Sequence, residues 1–158
     1  MMQMQLLTVG KQKEPHLTAA QEVYQKRLTP FCKWEFTQLP AVRLSDKPSE
    51  KEIAAALEQE AAAIRKAARG TLIAMCIEGK QRSSEAFARL INEELPMRGS
   101  AVTFVIGSSC GLSESLKREA YLRLSMSEMT FPHALAAVML MEQIYRAYQI
   151  GMGTGYHK

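Results

Sequence analysis

The chain has 158 residues, 47% of them hydrophobic, which suits one compact domain spanning 1–158 with a real core. Its 20 basic and 16 acidic residues leave a net charge of +4 and a pI near 9.0, too little for a polycation but enough to favour an anionic partner, most commonly nucleic acid. Cys32, Cys76 and Cys110 lie far apart with no C-x-x-C pair, poor material for a metal site or a disulfide framework and consistent with a reducing compartment.

The predicted elements alternate along the chain. Residues 2–9 alternate in polarity and break at Gly10-Lys11, reading as a first strand. Pro15 is placed to open a helix whose Leu17, Ala20, Val23, Tyr24 and Leu28 form one apolar stripe. Residues 34–37 alternate again as a second strand, and residues 40–48 are the most linker-like stretch. Ser49 and Glu52 make a capping box, followed at helical spacing by Ile53, Ala56, Leu57, Ala61, Ile64 and Ala68, with Gly70 at the expected C-terminus.

The second half repeats the theme. TLIAMCI, 71–77, is a continuous apolar run between glycines, as expected for a strand covered on both faces. A helix over 84–95 is predicted to stop before Pro96. AVTFVI, 101–106, reads as another buried strand, a short helix starts near Ser113, and 122–125 form a brief fifth strand. The last helix is predicted over 132–148. This order favours an α/β fold with a mostly parallel sheet flanked by helices and ligands at the strand C-terminal ends. The longest apolar run, 72–77, is too short for a membrane span, and residues 1–11 lack the features of a signal peptide, so a cytoplasmic protein with no membrane partner is expected.

One stretch, FVIGSSCGLS at 104–113, admits two chemistries. Gly107-Ser108-Ser109-Cys110-Gly111 fits the G-x-S-x-G of a hydrolase elbow, and Glu128 with His133, or Glu142 with His157, supplies an acid and a base in permissible order. It equally fits a small-residue loop that brings a ligand close to backbone amides. Spacing favours the second, because helix capping near Ser113 falls four residues after Ser109, whereas an elbow serine sits on the turn itself. Three strand-end loops remain as a site: Glu78-Gly79, the Gly107 loop, and residues 125–131. No Walker or dinucleotide fingerprint is present.

LSMSEMTFPH, EQIYRAYQI and the final YHK, together with LLTVGK, IEGK and FVIG…GLS in the same order, resemble the SPOUT-class methyltransferases of large-subunit rRNA. The match is to the small bacterial ribosomal RNA methyltransferase H family, which methylates N3 of a pseudouridine. The resemblance implies a SPOUT methyltransferase fold with a C-terminal trefoil knot, a homodimer, S-adenosyl-L-methionine as cofactor, and large-subunit rRNA or the assembled ribosome, not DNA, as partner. It carries the cofactor pocket onto Met75, Gly107, Met126, Ser127, Glu128, Met129, Thr130 and Phe131. Such a pocket holds adenine in a slot of backbone groups flanked by apolar side chains, and the helix N-terminus near Pro132 suits a carboxylate. Three positions depart from the family pattern: Ser108 replaces a second glycine, Ala137 lies where an arginine is usual, and Gly155 replaces a proline.

The catalytic candidates are His157, Tyr156, Glu142, Arg146 and His133. His157 is the preferred proton acceptor because an imidazole titrates near neutral pH. Tyr156 is suited to stacking on a base, Glu142 and Arg146 stand one helical turn apart as an ion pair, and His133 lies at a helix start. The tail MGTGYHK, rich in glycine, is expected to need an external surface, of its own subunit or a partner's, to become ordered. Two alternatives stand beside this reading: a non-catalytic RNA- or ribosome-binding factor on the same fold, and a SPOUT methyltransferase acting on tRNA.

Overall fold

The computed structural model describes all residues, Met1–Lys158. Five strands, β1 (Gln3–Val9), β2 (Lys33–Leu39), β3 (Thr71–Gln81), β4 (Ala101–Ile106) and β5 (Leu122–Ser125), form one sheet in the order β2-β1-β4-β3-β5, with every pairing parallel. Parallel neighbours need crossovers, and the helices that provide them cover both faces. The helices are α1 (Pro15–Leu28), α2 (Glu50–Ala67), α3 (Ser84–Arg89), α4 (Leu95–Arg98), α5 (Glu114–Glu119) and α6 (His133–Gly151).

Side chains of a strand point alternately to opposite faces, and β1 shows the consequence. Met4 and Leu6 join Ile73, Phe104, Leu140 and Ile144 in the core under α3 and α6. Leu7 and Val9 join Ala61, Ile64, Val105 and Leu116 in the core under α2 and α5. The sequence alternation in β1 therefore marks two buried faces and not one wet face. Gln5 is buried because its side chain donates to Thr37 Oγ1 at 2.8 Å and accepts from Thr103 Oγ1 at 2.7 Å on the flanking strands. Ser49 caps α2 with the expected reciprocal bonds to Glu52.

Two expectations change. The helix beginning at Ser84 does not stop before Pro96. It passes through a π-helical turn, Leu90–Glu94, and continues directly into α4, with Pro96 next to the junction. Asn92 in the π turn donates to the carbonyls of Ala88 and Ala147 at 2.9 and 2.8 Å, tying it to α6. Similarly, Glu78-Gly79 is not a loop after β3. The strand continues to Gln81 across a register shift between Met75 and Lys80, and its outer half is exposed. Gly79 is required there, since a Cβ would lie 2.7 Å from the Arg123 carbonyl carbon.

Candidate active site

Strand order places the site. β4, β3 and β5 are adjacent and parallel, so the segments at their C-terminal ends converge on one cleft of about 310 Å³. Met75 and the outer part of β3 form one wall, residues 107–112 after β4 a second, and the segment after β5 a third. Of the sequence-predicted binding residues, Met75, Gly107, Met126 and Ser127 line this cleft, as do Met129, Thr130 and Phe131. Glu128 does not; it is exposed. The loop is held by its own short bonds: Ser125 Oγ donates to the Ser127 carbonyl at 3.0 Å, and the Met129 amide donates to Ser127 Oγ at 3.0 Å. His133 and Ala136, in the first turn of α6, complete the lining. No side chain caps that helix, so its free amides and partial positive charge lie at the cleft.

The Gly107 loop is built differently from the sequence expectation. A Cβ on Gly107 would meet the Gly111 carbonyl group, 2.6 Å from its carbon, and Leu112 Cδ2 at 2.9 Å. The missing side chain thus lets the loop close on itself, with an isolated bridge between Ser108 and Gly111, before any ligand is considered. Ser108, which departs from the family pattern, is buried and donates to Glu60 Oε1 at 2.9 Å. The other Glu60 oxygen accepts from the Val42 amide at 2.8 Å, so α2 and the linker anchor the loop from behind. Ser113 caps α5 through the Leu116 amide, as its spacing predicts. Ser109 shares no hydrogen bond with His133 or His157, and both His157 nitrogens are engaged elsewhere. The elbow reading has no geometric support.

Glu78, expected at the site with Gly79, lines the cleft, and so does Lys117, which sequence reasoning missed. Lys117 Nζ bonds Glu78 and Glu114 at 2.6 and 2.9 Å. Desolvation works against the Lys117 charge, but the two carboxylates outweigh it and leave the ammonium pKa raised. The hydrogen bond from Lys117 in turn holds the Glu78 carboxyl below its ordinary value. The only sequence signal for Lys117 was its i,i+3 spacing from Glu114 on α5; its Glu78 partner comes from β3.

A second cavity, of about 300 Å³, shares Met75, Leu124 and Met126 with the first and reaches Glu142 and Gln143 on α6. The tail meets α6 there. Arg146 pairs with Glu142 at 2.9 Å, and both are largely buried. Tyr156 donates to Glu142 Oε2 at 3.0 Å, packs edge-on against Tyr145 at 5.0 Å, and lies under the Arg146 guanidinium at 4.8 Å. Burial, and then the bond to Glu142, raise the Tyr156 pKa. His157 contacts Arg146 and Glu85 at 3.1 and 2.8 Å. The tail is thus ordered on its own α6 and α3. Four of the five catalytic candidates form one network; His133 stands apart from it, on the first cleft.

No group of three or more His, Cys, Asp or Glu is arranged to hold a metal, and no helix is long and apolar enough to cross a membrane. The chain is similar to proteins named ribosomal RNA large subunit methyltransferase H: 41% identical to that of Streptococcus equi subsp. zooepidemicus and 42% to that of Streptococcus agalactiae serotype III, covering 99% of this chain and 100% of each relative. It also resembles the solved structure of a probable methylase family protein from Haemophilus influenzae Rd KW20, with a TM-score of 0.54 at 10% identity, covering 95% of this chain and 66% of that one. That likeness agrees with the parallel sheet described above. Residues 2–157 match the family described as predicted SPOUT methyltransferase, and the chain belongs to that family.

Proposed function

We propose that this protein transfers a methyl group from S-adenosylmethionine to N3 of a pseudouridine in large-subunit rRNA, acting as a cytoplasmic homodimer. The observation that carries the reading is the adjoining pair of cavities, one lined by backbone and apolar side chains and the other leading to a titratable network. The first fits the cofactor. Adenine needs a flat apolar slot with backbone partners, supplied between Met75, the Gly107 loop and Met126, and the uncapped α6 N-terminus suits the methionine carboxylate. When bound, the cofactor supplies an electrophilic methyl group.

The chain's own residues then have two tasks. Holding the acceptor beside the shared wall of Met75 and Met126 makes the displacement effectively unimolecular. Removing the imide proton falls to His157, which contacts Arg146, the partner of the cavity-lining Glu142. Arg146 and Tyr156 are suited to a phosphate and a base, once released from their mutual contact. A net charge of +4 offers one subunit little phosphate-binding surface, and a dimer pools it.

The deciding experiment supplies labelled S-adenosylmethionine with intact ribosomes, free large-subunit rRNA and tRNA in parallel. Methyl incorporation into large-subunit rRNA at a pseudouridine is expected. Label confined to tRNA would replace the substrate, and cofactor binding by calorimetry without transfer to any RNA would replace enzyme with platform.

A further inference from the structure

We propose that Glu85, on α3, is a positioning residue that fixes the tautomer of His157; the proposal rests on the reading of His157 as proton acceptor. A guanidinium has only donors, so the 3.1 Å contact between Arg146 Nη1 and His157 Nδ1 requires Nδ1 to accept. In a neutral imidazole the proton then sits on Nε2, which donates to Glu85 Oε1 at 2.8 Å. The carboxylate can only accept, so the two neighbours demand the same tautomer.

Placement supports a dedicated role. Glu85 sits in the first turn of α3, which Ser83 caps through the Ala86 amide, so its backbone is fixed while its side chain remains exposed. The bond from His157 holds the Glu85 carboxyl below its ordinary value. The charged and titratable groups around the imidazole are Glu85 from α3 and Arg146 from α6, with Glu142 and Tyr156 bonded behind Arg146. Nδ1 therefore carries the lone pair available for the imide proton, and it points at Arg146. When an RNA phosphate draws Arg146 away, Nδ1 is exposed already in the accepting state. The N3 proton passes to Nδ1, the N3 electron pair takes the methyl group as its bond to the sulfonium sulfur breaks and leaves a neutral thioether, and the resulting imidazolium remains bonded through Nε2 to Glu85.

The test compares Glu85→Ala, Glu85→Gln and His157→Ala in the full-length protein, by imidazole 15N NMR and by methyl transfer to ribosomal RNA substrate. In the parent, His157 should show the Nε2–H tautomer. With Arg146→Ala removing the other neighbour from both proteins, Glu85→Ala should relax that preference, and with Arg146 in place it should lower kcat on the order of tenfold with KM little changed, because the interaction acts on the proton transfer. Glu85→Gln, whose amide oxygen still accepts from Nε2, should retain the tautomer and recover most of the rate. His157→Ala should cost more, and adding Glu85→Ala to it should cost nothing further. A tautomer that Glu85→Ala leaves unchanged in the Arg146→Ala background, and an unchanged rate in Glu85→Ala itself, with His157→Ala inactive, would overturn the role of Glu85 alone. Full activity of His157→Ala would overturn both the base assignment and the proposal resting on it.

Discussion

The cleft between the strand ends and the cluster around the tail adjoin each other, yet they are made of different material. Around the cleft, selection falls on space: Gly107 is confined by Gly111 and Leu112, Gly79 by the Arg123 backbone, and the 125–131 segment is bonded to itself. In the tail cluster, selection falls on individual atoms: Glu142, Arg146, Tyr156, His157 and Glu85 are linked by hydrogen bonds in which changing one group re-addresses its neighbours. The first should be sensitive to volume and affect binding with stability. The second should be sensitive to chemistry and affect rate with little effect on the fold.

Gly107→Val is the strongest way to break the cleft side of that contrast. A branched side chain collides with the loop's own backbone, so S-adenosylmethionine affinity should be lost and stability should fall by about 1–3 kcal/mol, as for overpacking. Calorimetry and urea denaturation check both. A variant that melts like the parent and still binds would show that the loop relaxes without penalty.

Deleting residues 155–158 probes the other side. Tyr156 and His157 leave, but the buried core does not change. Methyl transfer should drop by a factor on the order of 100 or more, while cofactor affinity stays within about twofold. Equal losses in binding and rate would erase the distinction between the two regions.

Ser108→Ala sharpens the boundary between them, because this serine supports the cleft by a single buried bond. Leaving the Glu60 carboxylate oxygen without its donor should cost about 1–3 kcal/mol in chemical denaturation. Ser109→Ala, whose hydroxyl has no such partner, should leave both stability and transfer within about twofold.

The smallest effect concerns pH. Glu78 has a depressed pKa in the folded protein, so its contribution is present above its unfolded value and is lost as pH falls through the folded one. Glu78→Gln should therefore flatten the acid limb of the stability curve, by under about 1 kcal/mol given the exposure of the pair. Thermal melts between pH 3 and 7 check the direction.

Much of this is legible in the sequence. The capping box at Ser49 and the helix starts at Pro15 and Ser113 are local in sequence, and each appears where the spacing puts it, whereas in the stripe after Pro15 Val23 is exposed and Gln21 is buried instead. The continuation of helix past Pro96 and of β3 past Gly79 was not legible. Both depend on compensations outside the local pattern, a π turn bonded to α6 in one case and a close strand neighbour in the other. Gly107 was recognised as special, but for ligand approach, since only the folded loop reveals what occupies its Cβ position.

The chain itself determined which segments become strands and helices, and hence a parallel sheet, because hydrophobic period, caps and breakers act over a few residues. The order β2-β1-β4-β3-β5, which makes the ends of β4, β3 and β5 neighbours, is a property of the tertiary structure. So is the meeting of Glu85 with His157, 72 residues apart, and of Lys117 with Glu78 across 39. Local pattern carries no information about such pairs. Their geometry arises only when packed layers fix the relative positions of distant segments.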